Sequence, residues 1–485
     1  MSPAKRSIRR HAASRSRSPQ APQAPRATKS SKTPVGPIRH LVVLMLENRS
    51  FDHILGCLTS VYPQMVGIDS AHPRSNLDDT GSAHFQRAGA GATVNPGPAH
   101  DHDDVVAQIA HGNSGFVRNY QHSAKAPQGG LGAVMAYHGL GTLPAIHALA
   151  RDFTVCDHWF SSVPGPTWTN RFFAHSGTSQ GRVEMPHLPF HWNLHDYDQD
   201  TIYDRLNQKG VSWRIYHDGF PQSLLLAHQR RWKNAARYDP MTRFYKDAKG
   251  AEKAFPSFSF IEPDYFPPGA NDDHPPHDIR RGQKLIADVY AALRANAALW
   301  ASTLLVVVYD EHGGFYDQVT PGKAVPPDSH HEEYGFDQYG VRVPALLISP
   351  WVGRGVAPSV FDHTSVLRYA TELWGLKPLG ARVAAANSLG VAIKLDGPRK
   401  DTPATVPSEP LPKPSRDLAR KPPKLNDHQR ALIGFSDYLE TLIDAPPKAR
   451  GMRYARTLRS PIDSVEVAKT RVELFLRQQR KRARR

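Results

Sequence analysis

Short apolar runs separated by amphipathic stretches constrain the fold of this chain more than any other feature. The first run is His40–Leu46, and similar runs recur at 211–216, 258–261, 304–309 and 343–348. Runs this short fit strands that are buried on both faces of a parallel sheet. Helical patterns lie between them, notably at 202–209, 280–296 and 365–374. Strands that alternate with helices predict an α/β fold, with a mostly parallel central sheet and helices on both of its faces.

The composition narrows the class of protein. A chain of 485 residues is too long for one small module, and a hydrophobic fraction of 40% is enough for a large core. There is no apolar run of about 18 residues, so we predict no transmembrane helix. Two cysteines cannot build a disulfide framework; we predict that Cys57 and Cys156 are buried thiols, and a bond between them remains an alternative.

The positive charge lies at the two ends of the chain. Residues 1–39 hold ten Lys and Arg and no acid, and residues 477–485 hold six and no acid, which together equal the formal net charge of +16. Residues 40–476 are therefore formally neutral, and we expect no specific recognition of nucleic acid. Basic tails attract anionic surfaces weakly and in a salt-dependent way. A protein that binds polyanions or membrane surfaces through these tails is the alternative of another functional class.

The chain divides into five predicted segments. Residues 1–37 are rich in Ser, Pro, Ala and Arg and predict a disordered basic tail, because they have too little apolar surface to bury. Residues 38–395 form the main domain, and residues 396–425, with eight prolines, predict a linker. Residues 426–476 predict a small C-terminal helical appendage, followed by the basic tail 477–485. The N-terminal segment lacks the apolar core of a secretory signal, which favours a cytoplasmic location.

Polar clusters follow two of the predicted strands. Glu47-Asn48 comes directly after the first strand, and Asp310-Glu311 comes after 304–309. Ligand groups gather at the carboxyl ends of strands in such sheets. Either pair alone is ambiguous, since an acid-amide pair after a strand often caps a helix. Two adjacent carboxylates at a buried strand end are costly unless a cation neutralises them, so the two pairs together favour a metal site.

Thr167 follows the rigid turn Pro164-Gly165-Pro166 and precedes a helical stretch. It is either a plain helix cap or a hydroxyl nucleophile at a helix N-terminus, where free N–H groups would hold a phosphate. A metal that lowers the pKa of the hydroxyl would activate it. The chain has 25 histidines, so chance placement is a serious alternative for each. The densest polar sites are 98–102, which contains His100, and 273–278, which contains His274.

Five blocks, in order along residues 38–380, resemble the bacterial phospholipase C and acid phosphatase phosphoesterase family of the alkaline phosphatase superfamily. They are Leu44–Gly56, the segment Pro164–Thr167 with Asn170-Arg171, Asn271–Pro276, Tyr309–Asp317 and Asp362–Leu367. The resemblance implies an alkaline-phosphatase-like core, in which residues 38–395 are the catalytic domain. It also implies one divalent metal ion, held by Glu47, Asn48, Thr167, Asp310 and Glu311.

The resemblance further implies that Thr167 is the nucleophile and that His274 contacts the phosphoryl group. His100 and His217 are weaker catalytic candidates, and Asn170, Arg171 and Trp168 are candidate substrate-binding residues. Oxygen ligands suit Ca²⁺, Mg²⁺ or Mn²⁺, while activation of a hydroxyl at neutral pH also suits Zn²⁺.

The expected activity is phospholipase C-type hydrolysis of phosphatidylcholine-like diesters through a phosphothreonine. An acid phosphatase that acts on phosphomonoesters is the nearest alternative. The substrate is therefore a phospholipid or a small phosphoester. The family resemblance favours a secreted or periplasmic location, against the cytoplasmic one that the N-terminal segment favours, and the oligomeric state is left open.

Overall fold

A computed structural model of the protein describes residues 36–125, 127, 129–185, 197–411, 425–443 and 461–485. For residues 461–463 the description covers the backbone alone. The predicted disordered tail 1–37 lies outside the described residues, apart from its last two positions. Residues 412–424 of the predicted linker also lie outside them.

An eight-stranded sheet forms the centre of the molecule, in the spatial order β12-β6-β11-β10-β1-β9-β7-β8. Its strands are β1 (His40–Leu46), β6 (Thr154–Val155), β7 (Trp213–His217), β8 (Tyr238–Pro240), β9 (Phe258–Glu262), β10 (Thr303–Tyr309), β11 (Ala345–Ile348) and β12 (Gly355–Val356). Only the pairs β10–β11 and β11–β6 are antiparallel. The prediction of a mostly parallel sheet is confirmed. Two small two-stranded sheets are made by β2 (Ser75–Leu77) with β3 (Ala83–Phe85), and by β4 (Arg87–Ala88) with β5 (Ala136–Tyr137).

Helices surround the sheet and bury its two faces. Their bounds are α1 (Phe51–Ile54), α2 (His102–Asn113), α3 (Phe116–Ser123), α4 (Pro144–Asp152), α5 (Thr167–Ser176), α6 (Ile202–Lys209), α7 (Ala227–Arg230), α8 (Trp232–Ala235), α9 (Met241–Ala248), α10 (Ile279–Ala295), α11 (Ala297–Trp300), α12 (Thr364–Trp374), α13 (Gly380–Ala385), α14 (Asp427–Thr441) and α15 (Pro461–Ala483). Short 3-10 helices lie at Gly56–Ser60, Leu131–Met135, Gln222–Leu225, Glu252–Ala254 and Leu389–Ala392. Every residue of β1 and β10 is buried, as their continuous apolar sequences predict.

The register of β1 and β10 brings the two predicted polar clusters together. The strands are parallel, and Leu46 pairs with Tyr309 at their carboxyl ends. Glu47, which directly follows β1, therefore lies next to Asp310, which directly follows β10. The Asp310 N–H donates to the Leu46 carbonyl at 3.0 Å, which extends the strand pairing to the start of the polar loop.

The C-terminal helices pack on the main domain and share its core. Leu432 and Phe435 of α14 and Phe475 of α15 are buried within the same hydrophobic cluster as the strands. Before them, part of the predicted linker runs over the surface, and the Arg399 N–H donates to the Pro350 carbonyl at 2.7 Å. The predicted basic tail 477–485 is mostly the last two turns of α15, which ends at Ala483.

Two other predictions concern the membrane and the cysteines. Among the helices in the described part of the chain, none has an 18-residue stretch apolar enough to cross a bilayer. Cys156 is buried and Cys57 is half-buried, and both are free thiols. Burial raises the pKa of the Cys57 thiol to about 12, so both positions are unreactive at neutral pH.

Candidate active site

Five side chains meet at the carboxyl ends of β1 and β10, and we call them the strand-end cluster: Glu47, Asn48, Thr167, Asp310 and Glu311. All five are fully buried. The Thr167 hydroxyl lies 3.4 Å from Asn48 Oδ1, and the Asn48 N–H donates to Asp310 Oδ1 at 3.2 Å. The sequence prediction that these residues gather from three distant segments agrees with their placement in the fold.

A close approach of two loops holds the cluster together. Asn48 adopts a positive φ of 60°, and Gly313 adopts a φ of 63°. A Cβ atom added to Gly313 would lie 2.2 Å from the Asn48 carbonyl oxygen, so only glycine allows the loop after β10 to pack this closely against the loop after β1. The Gly313 N–H then donates to Glu311 Oε2 at 2.7 Å, which orients that carboxylate.

Thr167 is the first residue of α5 and does not cap it. The capping position is Pro166, which has an extended conformation and makes no side-chain cap. The Thr167 hydroxyl bonds to Asn48 instead of to its own helix, so the plain-cap interpretation is wrong. The free N–H groups of the first turn of α5 lie beside this hydroxyl, where a helix N-terminus favours an anion.

Asn170 was a candidate substrate-binding residue, and the structure gives it another task. Its Nδ2 donates to the carbonyls of Gly165 at 2.9 Å and Val163 at 3.2 Å, and its Oδ1 accepts from the Val163 N–H at 3.2 Å. The amide is engaged at both ends in holding the turn before Thr167. It therefore fixes the nucleophile candidate in place and has no end left for a substrate, which corrects the prediction.

Arg171, another substrate-binding candidate, lies among the carboxylates of the cluster. Its Nε donates to Asp310 Oδ2 at 2.9 Å, and its Nη2 lies 3.2 Å from Glu47 Oε1. The guanidinium is buried and balances part of the negative charge, which is how a buried ion pair remains tolerable. Burial alone would raise the pKa of Glu47, but His428 and Arg171 outweigh it and lower that pKa to about 2.

The third candidate for substrate contact, Trp168, is fully buried in the main core. Its ring lies edge-on to Tyr197 and to His428, with centroid distances of 6.5 and 6.4 Å. The surroundings of Trp168 are thus those of a core residue and not of a substrate-contacting side chain.

The oxygens of the cluster fit a divalent cation. Both Glu47 oxygens and Glu311 Oε1 are buried and accept no hydrogen bond of normal geometry within the described residues. Arg171 and His428 approach Glu47 as ion-pair partners, at 3.2 and 3.5 Å. Buried carboxylate oxygens without a donor are costly and rare in native proteins. Carboxylate, amide and hydroxyl oxygens are the donors that hard cations prefer. The residues that would hold the ion are Glu47, Asn48, Thr167, Asp310 and Glu311.

His100 and His274 stand beside the cluster, with ring centroids 5.4 Å apart. His100 Nε2 lies 3.0 Å from Asn48 Nδ2, and the other nitrogen of His100 bonds to the Pro98 carbonyl. His274 Nδ1 bonds to the Pro275 carbonyl, and its Nε2 has no hydrogen-bond partner among the described residues. Both rings line a cavity of about 460 Å³, together with Met185, Asn426 and His428.

His217, the remaining catalytic candidate, lies apart from the cluster. It ends β7, which is separated from β1 by β9. Its contacts are the Gly219 carbonyl, 3.1 Å from Nδ1, and the Tyr238 ring at 6.3 Å. Burial lowers the pKa of His217 to about 4, so the ring is neutral at neutral pH. The structure does not bring His217 to the site, and we withdraw it from the catalytic set.

Sequence reasoning gave one site histidine, His363, no catalytic role and missed another, His428. His363 Nε2 bonds to the Asp310 carbonyl at 2.6 Å and supports the strand-end loop. His428 Nδ1 lies 3.5 Å from Glu47 Oε2, although His428 follows the proline-rich stretch. The motif at Asp362–Leu367 gave a signal for His363. No signal in the sequence pointed to His428, because a helix start such as Asn426–Gln429 predicts a helix and not where that helix packs.

A second group of side chains of metal-ligand type lies outside this site. It consists of Asp200, Asp204 and His228, and we call it the α6 cluster. Its ligand-type atoms lie within 4.8 Å of one another. His228 Nδ1 lies 2.8 Å from Asp204 Oδ2, and Arg205 lies 2.9 Å from Asp200. Asp204 also caps α6 by bonding to the Thr201 N–H at 2.8 Å. Each carboxylate here already has a partner.

The family match and the relatives of this chain assign it to the enzymes that hydrolyse phosphoric esters, and the buried acids, amide and threonine hydroxyl at the carboxyl edge of the sheet agree with that class. Residues 38–377 match the model of the Phosphoesterase family, and the chain belongs to that family. The resemblance stated from the five motifs is thereby confirmed.

Several phospholipases C are relatives of this chain. It is 37% identical to non-specific phospholipase C6 of Arabidopsis thaliana over 406 residues, which are 76% of this chain and 75% of that protein. It is 29% identical to phospholipase C B of Mycobacterium tuberculosis over 397 residues, which are 70% of this chain and 74% of that protein. A solved alkaline phosphatase superfamily protein from Vibrio parahaemolyticus aligns at 11% identity and a TM-score of 0.33 over 73% of this chain and 70% of its own.

Proposed function

We propose that the protein is a metal-dependent phosphodiesterase of the phospholipase C type, with Thr167 as its nucleophile. The observation that carries this proposal is the position of the Thr167 hydroxyl. It is buried at the N-terminus of α5, 3.4 Å from Asn48 Oδ1, in a cluster whose buried Glu47 and Glu311 oxygens accept no hydrogen bond of normal geometry within the described residues. The phospholipase C names of the relatives support a diester substrate such as phosphatidylcholine.

The reaction is a double displacement. The Thr167 oxygen attacks phosphorus and forms a P–O bond, while the bond from phosphorus to the leaving alcohol breaks. Water then attacks the phosphothreonine, releases the phosphate monoester and restores the Thr167 hydroxyl. A divalent cation bound by the strand-end cluster would supply Lewis-acid stabilisation of the developing charge and favour ionisation of the hydroxyl.

The chain's own residues position and stabilise the reacting groups. The first-turn N–H groups of α5 donate to the equatorial phosphoryl oxygens. His274, whose Nε2 has no hydrogen-bond partner within the described segments, contacts the phosphoryl group from the cavity. His100 or His274 gives the departing alcohol its proton, since both line that cavity. Arg171 helps to lower the pKa of Glu47 and fixes the Asp310 carboxyl group through its Nε.

A substrate panel tests the proposal. The full-length protein is assayed with phosphatidylcholine, p-nitrophenyl phosphocholine and p-nitrophenyl phosphate, with and without EDTA. We expect release of phosphocholine from both diesters, with loss of activity in EDTA. Hydrolysis of p-nitrophenyl phosphate alone would make the protein a phosphomonoesterase, and equal diester hydrolysis with and without chelator would reject the metal requirement.

A leaving-group comparison identifies the proton donor. p-Nitrophenol leaves readily without protonation, whereas the diacylglycerol alkoxide does not. The variant that lacks the donor, His100→Asn or His274→Asn, therefore loses much more activity on phosphatidylcholine than on p-nitrophenyl phosphocholine. Equal losses on both substrates in both variants would remove the two histidines from this role.

The basic segment at the end of α15 suggests how the enzyme meets its substrate. Arg480, Lys481 and Arg482 lie in its last turn. We propose that this segment makes weak, salt-dependent contact with anionic lipid surfaces. We expect the full-length protein to bind phosphatidylserine vesicles, and we expect this binding to weaken as the salt concentration rises. Changing the three residues to Gln should weaken the binding further.

A further inference from the structure

The N-terminus of α14 lies against the candidate active site. Asn426, the cap of this helix, has its Nδ2 3.3 Å from His274 Nδ1. Gln429 Nε2 donates to the Tyr265 carbonyl at 2.7 Å and lies 3.2 Å from His277 Nε2. The reciprocal capping bonds between Asn426 and Gln429 fix the start of the helix at this point. The C-terminal segment is thus attached to the catalytic face through its first turn.

His428 is the residue of this turn that reaches the strand-end cluster. Only 2% of its surface is exposed, and its Nδ1 lies 3.5 Å from Glu47 Oε2. Its Nε2 is buried without a hydrogen-bond partner among the described side chains and backbone. The ring packs against Tyr265 at a centroid distance of 5.1 Å, which restricts its orientation.

Glu47 is therefore faced by one basic side chain at each of its oxygens. Arg171 Nη2 stands 3.2 Å from Oε1, and His428 Nδ1 stands 3.5 Å from Oε2. Arg171 comes from α5, beside Thr167, whereas His428 comes from beyond the family match, which ends at residue 377. A carboxylate held from both sides keeps one orientation, and outer groups of this kind set the affinity of a metal centre.

We propose that His428 is a positioning residue that orients Glu47 for cation binding, so that the catalytic centre is complete only when α14 is docked. This inference rests on the proposed function, in which Glu47 is a ligand. Because the two events are linked through Glu47, cation binding at the cluster and docking of α14 stabilise each other.

The test uses three substitutions in the full-length protein and Mn²⁺ as the probe. Asparagine places its amide nitrogen near the position of Nδ1, so His428→Asn keeps a donor for Glu47. Glutamine places its nitrogen near the position of Nε2, so His428→Gln does not, and His428→Ala removes both nitrogens. Arg430→Ala is the matched control, because Arg430 lies on the exposed side of the same helix. Thermal unfolding verifies that each variant is folded.

Calorimetric titration gives the affinity for Mn²⁺. We expect His428→Ala and His428→Gln to bind Mn²⁺ about 10- to 100-fold more weakly, while His428→Asn and Arg430→Ala stay within about threefold of the unchanged protein. Unchanged affinity in His428→Ala would overturn the proposal. Equal losses in Asn, Gln and Ala would also overturn it, since they would assign the effect to packing and not to the donor at Nδ1.

Hydrogen exchange provides a readout that does not depend on activity. We expect Mn²⁺ to slow amide exchange in residues 427–441 of the unchanged protein and to have no such effect in His428→Ala. Equal slowing in both would contradict the linkage. If the unchanged protein binds Mn²⁺ and shows these effects but hydrolyses no phosphodiester, the proposed function fails while the role of His428 stands.

Discussion

The strand-end cluster and the α6 cluster contain similar side chains in different surroundings. In the α6 cluster the ligand-type atoms are close together, but Asp200 is half exposed, and Asp204 is engaged by a helix cap and by His228. In the strand-end cluster the side chains are fully buried, and three carboxylate oxygens accept no hydrogen bond within the described residues, although Arg171 and His428 form ion pairs with Glu47. Proximity alone therefore does not mark a cation site. Buried carboxylate oxygens that accept no hydrogen bond favour such a site, because the free energy of their desolvation must be offset.

The largest expected effect concerns the two threonines that accompany these clusters. Thr167→Val should reduce phosphodiester hydrolysis by about 1000-fold or more, because it removes the attacking oxygen. Thr201→Val is the matched control beside the α6 cluster. It should retain the activity and lose about 1 kcal/mol of stability, because the Thr201 side chain caps α6.

Initial rates and thermal unfolding of the two variants check this prediction. Near-normal turnover by Thr167→Val would remove Thr167 as nucleophile. A comparable loss of turnover in Thr201→Val would break the distinction between the clusters.

The next effect is on cation affinity. Asp310→Asn should weaken Mn²⁺ binding by at least about 100-fold, since a ligand contributes no less than the outer groups that support it. Asp204→Asn should leave the affinity unchanged. Titration calorimetry on both variants measures the contrast, and the reverse order of effects would assign the ion to the α6 cluster.

A smaller effect is expected on thermal stability. Mn²⁺ at 100 times its dissociation constant should stabilise the unchanged protein by about 2.7 kcal/mol, provided that it binds only the folded state. Glu47→Gln should remove most of this gain, and Asp200→Asn should keep it. Melting temperatures with Mn²⁺ or EDTA give the measurement, and an equal gain in both variants would count against Glu47 as a ligand.

The last effect, on the pH dependence of stability, concerns His217, a strand-end residue outside the cluster. Its pKa is lowered by burial to about 4 in the folded protein, against an ordinary value near 6.5. As the pH falls, His217 is protonated in the unfolded chain before it is protonated in the folded protein. It therefore has no effect on stability above about pH 6.5 and destabilises the folded protein as the pH falls towards 4. The slope approaches about 1.4 kcal/mol per pH unit.

His217→Gln should flatten the loss of stability between pH 6.5 and 4 and leave phosphodiester hydrolysis unchanged. Urea unfolding across this range, with activity at pH 7.5, gives both results. A large loss of activity in this variant would return His217 to the catalytic set.

Much of the fold and of the central cluster could be predicted from the sequence because their signals are local. The apolar run before Glu47 and the run before Asp310 each form a buried strand, and parallel register joins their carboxyl ends. The contribution of α14 could not be predicted in this way. His428 reaches Glu47 through the packing of a distant helix, and neither its spacing nor its neighbours in sequence encode that contact.

The incorrect roles predicted for Asn170 and His217 also arose because the sequence does not show how side chains and strands pack. Asn170 lies next to Arg171 in a family motif, and the motif does not say whether a side chain faces a ligand or the turn that carries Thr167. His217 is the last residue of β7, and Glu47 directly follows β1. The strand order places β9 between these two strands. Sequence position gives the strand end, and only the order of strands decides which ends share a site.

Anomalous diffraction at the manganese edge, from crystals of the full-length protein grown with Mn²⁺, tests the central claim most directly. The account predicts one strong peak among Glu47, Thr167 and Asp310. A peak found only at Asp200, Asp204 and His228, with none beside Thr167, would contradict it.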